Sequence, residues 1–323
     1  MAIIRMQSSG TSERCPDGIG VDETMALQTA IDTVSGTRDI LDLDGRTWHY
    51  TSRLYLYGTV RIRNGRLVYC GSDCDTSTIL AQPRPNSTEE KHSVLIMEDI
   101  QIRRRDNDAA KNLVGLLIEI GLRVRLQRVD FSRWYEGGTA LRLEGVQLGY
   151  FEDCMFERSS ASLHITGKHM GPPSTALTFI NCLFRTHVGD GASVVFRPFE
   201  TEVEEKVETV SGARRIHFSF CSFENGTRGG FIDAQGTRNL NFSDSTFEKP
   251  GPGSPSVVFS DDGETSSVNR VKFCNFSNTR GDPAPAQIVI GDNVQETTLI
   301  GNTHARTTTA YEDNGDNTTI LQW

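Results

Sequence analysis

The feature that most constrains the fold of this chain is a short motif that recurs six times between residues 129 and 276. Each copy places a small or apolar residue, then one variable residue, then a phenylalanine. The copies are Val129-Asp130-Phe131, Cys154-Met155-Phe156, Cys182-Leu183-Phe184, Cys221-Ser222-Phe223, Ser245-Thr246-Phe247 and Cys274-Asn275-Phe276. Successive phenylalanines are separated by 25, 28, 39, 24 and 29 residues. A period of this length indicates one supersecondary unit stacked on copies of itself.

The residues around each copy alternate between apolar and polar, as in residues 177–184 and 271–276. Alternation at a period of two is typical of β-strands rather than helices. After a polar corner, a second apolar run follows each phenylalanine run. These runs are residues 140–143, 162–165, 194–196, 231–233, 257–259 and 288–290. Several short strands per repeat indicate a parallel β-solenoid. A leucine-rich repeat is the alternative, but its leucines and asparagine at fixed offsets are missing.

The sequence therefore predicts an all-β chain that forms a single-stranded, right-handed parallel β-helix. A solenoid exposes an apolar cross-section at each end, so each end needs a cap. Residues 22–34 predict an amphipathic helix with Asp22 as its N-cap. Its predicted apolar face comprises Met25, Ala26, Ala30, Ile31 and Val34. We expect an N-terminal segment with the capping helix over 1–38, the β-helix over 39–305 and a C-terminal cap or tail over 306–323. In this tail, Ile320, Leu321 and Trp323 are expected to cover the core.

Four of the seven cysteines occupy the same position in the repeat, two residues before the phenylalanine: Cys154, Cys182, Cys221 and Cys274. Strand positions two apart point to the same face, so these thiols should point inward with the phenylalanines. Sulfurs in one vertical stack cannot surround a metal tetrahedrally, and no Cys-x-x-Cys pair is present. We therefore predict buried packing, with no metal and no cofactor. Cys70 and Cys74 bracket a turn and could form a bridge, although the odd total argues against a disulfide framework.

Charge and hydropathy exclude several classes of function. The formal net charge is −9, and no basic stripe with interleaved aromatic residues is present, so nucleic-acid binding is not expected. No apolar stretch approaches the roughly 18 residues of a membrane span, so membrane insertion is not expected either. The first six residues are too short and polar for a secretory signal, which predicts synthesis in the cytoplasm without a signal peptide.

Residues 21–32, read as Val-Asp-Glu-Thr-Met-Ala-Leu-Gln-Thr-Ala-Ile-Asp, resemble the opening of pectate-lyase-like β-helix proteins. In that group a strand and a turn follow the helix, as residues 40–43 and 45–48 do here. Many members are tailspikes or receptor-binding proteins of tailed bacteriophages, and others are polysaccharide lyases, hydrolases and epimerases. The active-site signatures of polygalacturonases, pectate lyases and mannuronan epimerases are missing. The resemblance therefore implies the fold and assigns no catalytic residue.

The residue after each phenylalanine should face outward, because neighbouring strand positions point to opposite faces. On successive repeats these residues are Ser132, Glu157, Arg185, Glu224, Glu248 and Ser277. Glycan hydrolysis needs two carboxylates, about 5–5.5 Å apart for retention and about 6.5–9.5 Å apart for inversion. Adjacent and alternate coils supply roughly these spacings. Glu157 and Glu224 are therefore candidate catalytic residues, and Arg185 is a candidate contact for an acidic sugar. The alternative is a surface row of alternating charges, whose pairs stabilise little.

A second candidate surface lies in the corner after Phe131, where the sequence reads Trp134-Tyr135-Glu136. Aromatic faces pack against the apolar faces of sugars, and a neighbouring carboxylate can bind hydroxyls or donate a proton. We therefore predict Trp134 and Tyr135 as substrate-binding residues and Glu136 as a catalytic candidate. The alternative is that the aromatic side chains pack against the neighbouring coil.

The remaining candidates lie in corners further along the chain. Asp233 is a fourth catalytic candidate, and Arg158 and Arg228 join Arg185 as substrate-binding residues. The inserted segment 199–209 is rich in glutamate and should project from the solenoid, where it can rim a groove or contact a neighbouring subunit. His187 and Asp190 are weaker candidates, with a structural role as the alternative for each.

Three functions agree with these observations. The first is a phage tailspike-like virion protein of the viral tail, a homotrimer attached to other tail proteins, that binds and in an active form depolymerises a bacterial surface polysaccharide. The second is a bacterial polysaccharide lyase or glycoside hydrolase outside a virion. The third is a structural or adhesive β-helix without catalysis. The sequence favours the first.

Overall fold

The alternating segments of the chain form short strands that wind into a right-handed parallel β-helix, which confirms the predicted fold class. This computed structural model describes residues 1–6, 15, 20–71, 77–83, 94–105, 112–119, 123–135, 137–169, 171–203, 206–261, 266–278, 286–305 and 310–322. Each full coil contributes strands to three faces, and each face pairs in parallel with the same face of the next coil.

The first and second faces meet at a tight corner and form one 19-stranded sheet. Three long strands cross this corner and serve both faces: Val60–Tyr69, Val94–Arg104 and Arg123–Ser132. The other first-face strands are Ile3–Arg5, Ile40–Asp42, Leu148–Glu152, Ser174–Ile180, Ala213–Ser219, Thr237–Ser243, Arg270–Lys272, Thr298–Ile300 and Thr319–Leu321. The other second-face strands are Thr47–Tyr50, Met155–Glu157, Leu183–Arg185, Ser222–Glu224, Thr246–Glu248, Asn275–Ser277 and Thr303–Ala305.

The third face is a 10-stranded sheet that includes all six of the second apolar runs. Its strands are Leu54–Tyr57, Ser77–Gln82, Val114–Glu119, Thr139–Glu144, Ala161–Thr166, Val194–Phe196, Ile232–Gln235, Val257–Ser260, Ile288–Ile290 and Tyr311–Asp313. The inserted segment forms an antiparallel hairpin of Phe199–Val203 and Lys206–Val210 between the third face of one coil and the first face of the next.

The repeated phenylalanines form a stack through the centre of the β-helix. Phe131, Phe156, Phe184, Phe223, Phe247 and Phe276 are buried, and neighbouring rings lie nearly parallel with centroids 4.7 to 5.1 Å apart. The ring of His304 continues the stack over Phe276 at 5.0 Å. Stacking identical rings buries a large apolar area on every coil, and burial of apolar area is the main force that holds the fold together.

The cysteine row is buried beside this stack, as predicted. Cys154, Cys182, Cys221 and Cys274 each expose 2% or less of their surface. Burial raises the pKa of the Cys274 thiol to about 12, so this group packs as a neutral side chain at physiological pH. Near the N-terminus, the Sγ atom of Cys70 lies 2.8 Å from that of Cys15. Cys74, the partner considered from the sequence, lies outside the described residues.

The predicted N-terminal cap is present as a helix over Thr24–Val34. It buries Leu27, Ile31 and Val34 against the first coils. Two details of the prediction are wrong. Met25 is 77% exposed, because it faces away from the core, and Leu27 occupies the apolar face instead. The N-cap is Glu23, while the Asp22 carboxylate accepts a hydrogen bond from the backbone N–H of Thr24.

The C-terminal residues continue the β-helix. Tyr311–Asp313 pairs with the third-face strand Ile288–Ile290, and Thr319–Leu321 pairs with the first-face strand Thr298–Ile300. Ile320 and Leu321 are exposed, so the expectation that they cover the core is wrong, and Trp323 lies outside the described residues. The division of the chain at residues 38 and 305 stays a prediction. None of the described helical residues forms a segment long and apolar enough to cross a membrane.

Candidate functional site

The outward row on the second face has the register that the sequence predicted. Glu157 pairs with Ser132 on one side and with Arg185 on the other. The row continues from Arg185 to Glu224 and then to Glu248. We call this row, Glu157–Arg185–Glu224–Glu248, the charged row. Each member of the row points outward because neighbouring residues of a strand point to opposite faces and the phenylalanine before it points into the core.

One ion pair joins two members of the charged row, and a neighbouring arginine approaches the same carboxylate. Arg185 Nη2 lies 3.3 Å from Glu157 Oε1, and Arg158 Nε lies 3.8 Å from the same oxygen. The Glu224 carboxylate accepts a hydrogen bond of 2.7 Å from the hydroxyl of Ser222. These side chains are all partly exposed, so the pairs contribute little to stability and their polar atoms remain accessible to a ligand.

A groove of about 760 Å³ begins just beyond the charged row, in the corner between the second and third faces. Its lining comes from successive coils: Tyr135, Gly137, Ser160, Ala161, Val188, Gly189, Asp190, Gly191, Thr227 and Arg228. Arg228 Nη1 donates to Asp190 Oδ1 at 3.0 Å across the groove, although the two residues are 38 positions apart. Two of the predicted substrate-binding residues, Tyr135 and Arg228, therefore line this groove. Each of them follows a strand of the second face by a few residues in the sequence.

The loops that form the groove pack closely against one another. A Cβ atom at Gly229 would collide with the carbonyl oxygen of Gly191, so only glycine allows this approach. His187 is buried, with its ring nitrogens 3.2 Å from the carbonyl oxygen of Ser159 and 2.6 Å from that of Gly191. The burial of the imidazole lowers the pKa of His187. His187 thus connects two of the loops that form the groove, which agrees with the structural role considered for it.

The structure corrects the expectation for Trp134. Its side chain is fully buried in the core, and no face of the ring is available to a sugar. The indole occupies space left by Gly115 on the neighbouring coil, where a Cβ atom would lie 2.7 Å from the ring. The alternative reading of this corner, in which the aromatic residue packs against the neighbouring coil, therefore holds for Trp134. Tyr135, the next residue, is half-buried and lines the groove.

Asp233 does not join the other candidates. It lies on the third face, where its carboxylate pairs with Arg197 Nη2 at 2.6 Å. Asp233 is therefore separated from Glu157 by the corner between the second and third faces. Glu136 lies outside the described residues. The structure thus brings together Glu157, Arg158, Arg185 and Glu224 on the second face, with Tyr135 and Arg228 in the adjoining groove.

Asp130 is a further acidic residue of this face that was not predicted. It lies two positions before Ser132, so it points outward, and it sits diagonally across from Glu157 on the next coil. Burial raises the pKa of Asp130, and the negative charge of Glu157 adds to the effect. Hydrogen bonding to Gln101 and the positive charge of Arg185 act in the opposite direction. The same period of two that located the charged row could have found Asp130.

The described residues contain no group of three or more histidine, cysteine or acidic side chains that could hold a metal ion.

Comparison with known proteins identifies the fold. Neither a protein-family model nor a curated protein matches the sequence. The full-length tailspike protein 2 from Escherichia coli O157:H7 bacteriophage CAB120 matches with a TM-score of 0.68 and 11% identity, over 99% of this chain and 42% of that one. The Acinetobacter phage vB_ApiP_P1 tailspike protein matches with a TM-score of 0.64 and 12% identity, over 98% of this chain and 59% of that one.

An enzyme shares the architecture as well. The endo-xylogalacturonan hydrolase from Aspergillus tubingensis matches with a TM-score of 0.53 and 13% identity, over 99% of this chain and 91% of that one. This chain spans about half the length of the two tailspike structures. It has the right-handed parallel β-helix fold seen in these tailspike and hydrolase structures.

Proposed function

We propose that this protein is tailspike-like and binds a bacterial surface polysaccharide along the second face and the adjoining groove. The observation that carries the proposal is the charged row beside the groove of about 760 Å³. A polymer needs a long, shallow surface with polar groups at regular intervals, and the coils present one such group about every 4.8 Å. Arg158, Arg185 and Arg228 can bind acidic or hydroxyl groups, while Tyr135 offers a partly exposed aromatic ring.

The virion setting is part of this proposal. It places the chain in a viral tail, as a homotrimer attached to other tail proteins. Two tailspike structures that share the fold over nearly the whole of this chain support the location in a tail. The alternatives are a bacterial lyase or hydrolase outside a virion and an adhesive β-helix without catalysis. Electron microscopy of phage particles with antibody against this chain tests the location, and labelled tails are the expected result.

Binding is tested with purified protein on an array of bacterial capsular and O-antigen polysaccharides. Arg185→Ala and Arg228→Ala should each weaken binding to the recognised glycan about 10-fold, the equivalent of about 1.4 kcal/mol for a lost charged hydrogen bond. Arg125→Ala, which removes an exposed arginine from the first face, serves as the matched control. Equal binding by all three variants and the parent would place the glycan elsewhere on the molecule.

A second proposal is cleavage of the bound polysaccharide by Asp130 and Glu157. They lie on adjacent strands two residues out of register, so their Cα atoms are about 8 Å apart. Inverting glycosidases hold their carboxyl groups about 6.5–9.5 Å apart, and two outward side chains on this spacing can adopt such a separation. Burial favours the protonated form of Asp130 by raising its pKa, and Arg185 Nη2 lies 3.3 Å from Glu157 Oε1. Asp130 donates its proton to the glycosidic oxygen as that C–O bond breaks. Glu157 takes a proton from the water that forms the new C–O bond.

Cleavage is measured as new reducing ends on the recognised polysaccharide. Asp130→Asn and Glu157→Gln should each lower turnover at least 100-fold and leave binding nearly unchanged, since shape is kept and only the ionisable group is lost. The alternative catalytic pair is Glu157 with Glu224, which lie two coils apart. Loss of turnover in Glu224→Gln would assign the second carboxylate to Glu224. Binding without any product after long incubation would support the adhesive alternative.

A further inference from the structure

One corner of the β-helix carries two aromatic residues in an unusual backbone conformation. The corner between the first and second faces is made by a single residue with positive φ on each coil. From residue 153 onward these corner residues are Asp153, Asn181, Phe220, Asp244, Phe273 and Gly301. The backbone N–H of each donates to the carbonyl of the residue before the next corner, so they form one continuous row.

Phenylalanine is poorly suited to this position. The left-handed region favours glycine, asparagine and aspartate, and a bulky residue there is a genuine outlier. Phe220 has φ of 54° and Phe273 has φ of 53°. Their side chains are 63% and 57% exposed, so the strain is not offset by burial in the core. Residues held in sparsely populated conformations cluster at functional sites, which makes this pair a candidate ligand contact.

The surroundings of the two rings are polar. Asp244 occupies the corner of the coil between them, and its carboxylate makes no side-chain hydrogen bond or ion pair with any residue that the structure describes. The hydroxyls of Ser219 and Ser243 lie 3.0 Å apart before the corner. After the corner, the hydroxyl of Ser222 lies 2.9 Å from that of Thr246. The second face with the charged row begins directly beyond.

We propose that Phe220, Asp244 and Phe273 form a sugar-binding subsite in which the rings stack on two sugar units and the carboxylate accepts their hydroxyl protons. The proposal rests on the proposed function and extends the polysaccharide path from the charged row to this corner. The two phenylalanines are two coils apart, about 10 Å along the β-helix axis. This subsite supplies the aromatic stacking surface that the buried Trp134 cannot provide.

A polysaccharide fits this corner better than a second copy of the chain. The centres of protein–protein interfaces are depleted of charged residues, and burying the carboxylate of Asp244 there without a partner is costly. A sugar offers an apolar ring face and hydroxyl donors together, so it satisfies both kinds of group at once. The negative charge of Asp244 also selects against a uronic acid, so the sugar at this subsite is neutral or carries an amino group.

The test compares variants on the same array of bacterial capsular and O-antigen polysaccharides. Phe220→Asn and Phe273→Asn remove the ring and install a residue that tolerates positive φ, so they keep the fold. Leu148→Asn is the matched control, because Leu148 is a similarly exposed apolar residue on the first face. We expect each phenylalanine variant to weaken binding at least 10-fold, Phe220→Tyr to retain it, and the control to match the parent.

The outcomes separate the two proposals. If the parent and both phenylalanine variants bind equally well and Arg185→Ala does not bind, the subsite is overturned and the proposed function stands. Binding that depends on Phe220, Phe273 and Arg185 supports both. A parent that binds no polysaccharide on the array overturns both. A phenylalanine variant that changes the oligomeric state, measured by light scattering, overturns the subsite in favour of an interface between copies.

Discussion

At the scale of single residues, the inward position two residues before each phenylalanine shows which side chains the core accepts. Successive coils place Cys154, Cys182, Cys221, Ser245 and Cys274 there, and all of them are buried. A hydroxyl buried at this position needs a hydrogen-bond partner. Ser245 has two, because its Oγ donates to the carbonyl oxygen of Ser243 at 2.9 Å and accepts from the backbone N–H of Cys221. The backbone carbonyl oxygen two residues before this position can therefore accept a hydrogen bond from a buried hydroxyl.

The variant Cys182→Ser tests this interpretation. The Sγ atom of Cys182 already lies 3.5 Å from the carbonyl oxygen of Ile180, which is the equivalent acceptor. We expect the substitution to lower the free energy of unfolding by about 1 kcal/mol or less, because the hydroxyl gains a hydrogen bond when it is buried. Denaturant titration measures the change. A loss of about 3 kcal/mol would show that this acceptor is out of reach at the cysteine positions.

The positive φ of Phe220, in the corner between the first and second faces, leads to a second prediction about stability. Phe220→Asn should raise the free energy of unfolding by up to about 1 kcal/mol, because asparagine adopts positive φ at lower cost and little packing is lost. Asn181→Phe is the reverse change at a corner with the same conformation and should destabilise by a similar amount. Thermal unfolding of the two variants measures both effects. A drop in stability for Phe220→Asn would show that its ring packs favourably and that the backbone is not strained.

At the scale of elements, the strands of the core could be predicted, and the shape of the corners could not. Inward positions recur every second residue within a strand and once per coil, so the sequence located the phenylalanine stack and the charged row. The corner between the second and third faces has no fixed length. It holds three residues between Glu157 and Ala161 but eight between Arg185 and Val194. No periodicity could therefore show that Trp134 turns inward, whereas the apolar run 231–233 already placed Asp233 on the strand after this corner.

The third-face strand Ala161–Thr166 gives a prediction about pH. Burial lowers the pKa of His164 to about 3, and the positive charges of Arg142 and Arg197 add to the effect. Because the pKa of His164 is lower in the folded than in the unfolded state, the unfolded state takes up a proton as the pH falls below about 6.5. Stability from this group is thus present above pH 6.5 and is lost toward pH 3, with about 2 kcal/mol lost by pH 5.

His164→Gln keeps a polar side chain of similar size and removes the titration. The difference in unfolding free energy between parent and variant should therefore change by about 2 kcal/mol between pH 7 and pH 5. His169→Gln provides the control, since the His169 side chain is exposed. Denaturant unfolding at a series of pH values gives the comparison. Parallel pH profiles for the parent and His164→Gln would mean that His164 titrates normally in the folded protein.

At the scale of the whole molecule, the coils stack in one dimension and leave three long outward surfaces. The second face holds the proposed glycan path. On the outer side of the third face, one row in the C-terminal coils consists of Val195, Asp233, Val258, Val289 and Glu312, and its three valines are half-exposed. Side-by-side assembly of β-helices in the proposed homotrimer would cover such a surface and leave the second face open to a polymer.

The proposed trimer is tested by light scattering of the purified protein. We expect a mass three times that of the 35.8 kDa chain. Val258→Glu places a charge on the outer side of the third face, and it should shift the protein toward monomers because an unpaired charge is costly to bury in an interface. Thr246→Glu, at an outward position on the second face, should leave the trimer intact. A monomeric parent would contradict the homotrimer itself. A trimer weakened only by Thr246→Glu would move the interface to the second face and compete with the glycan path proposed there.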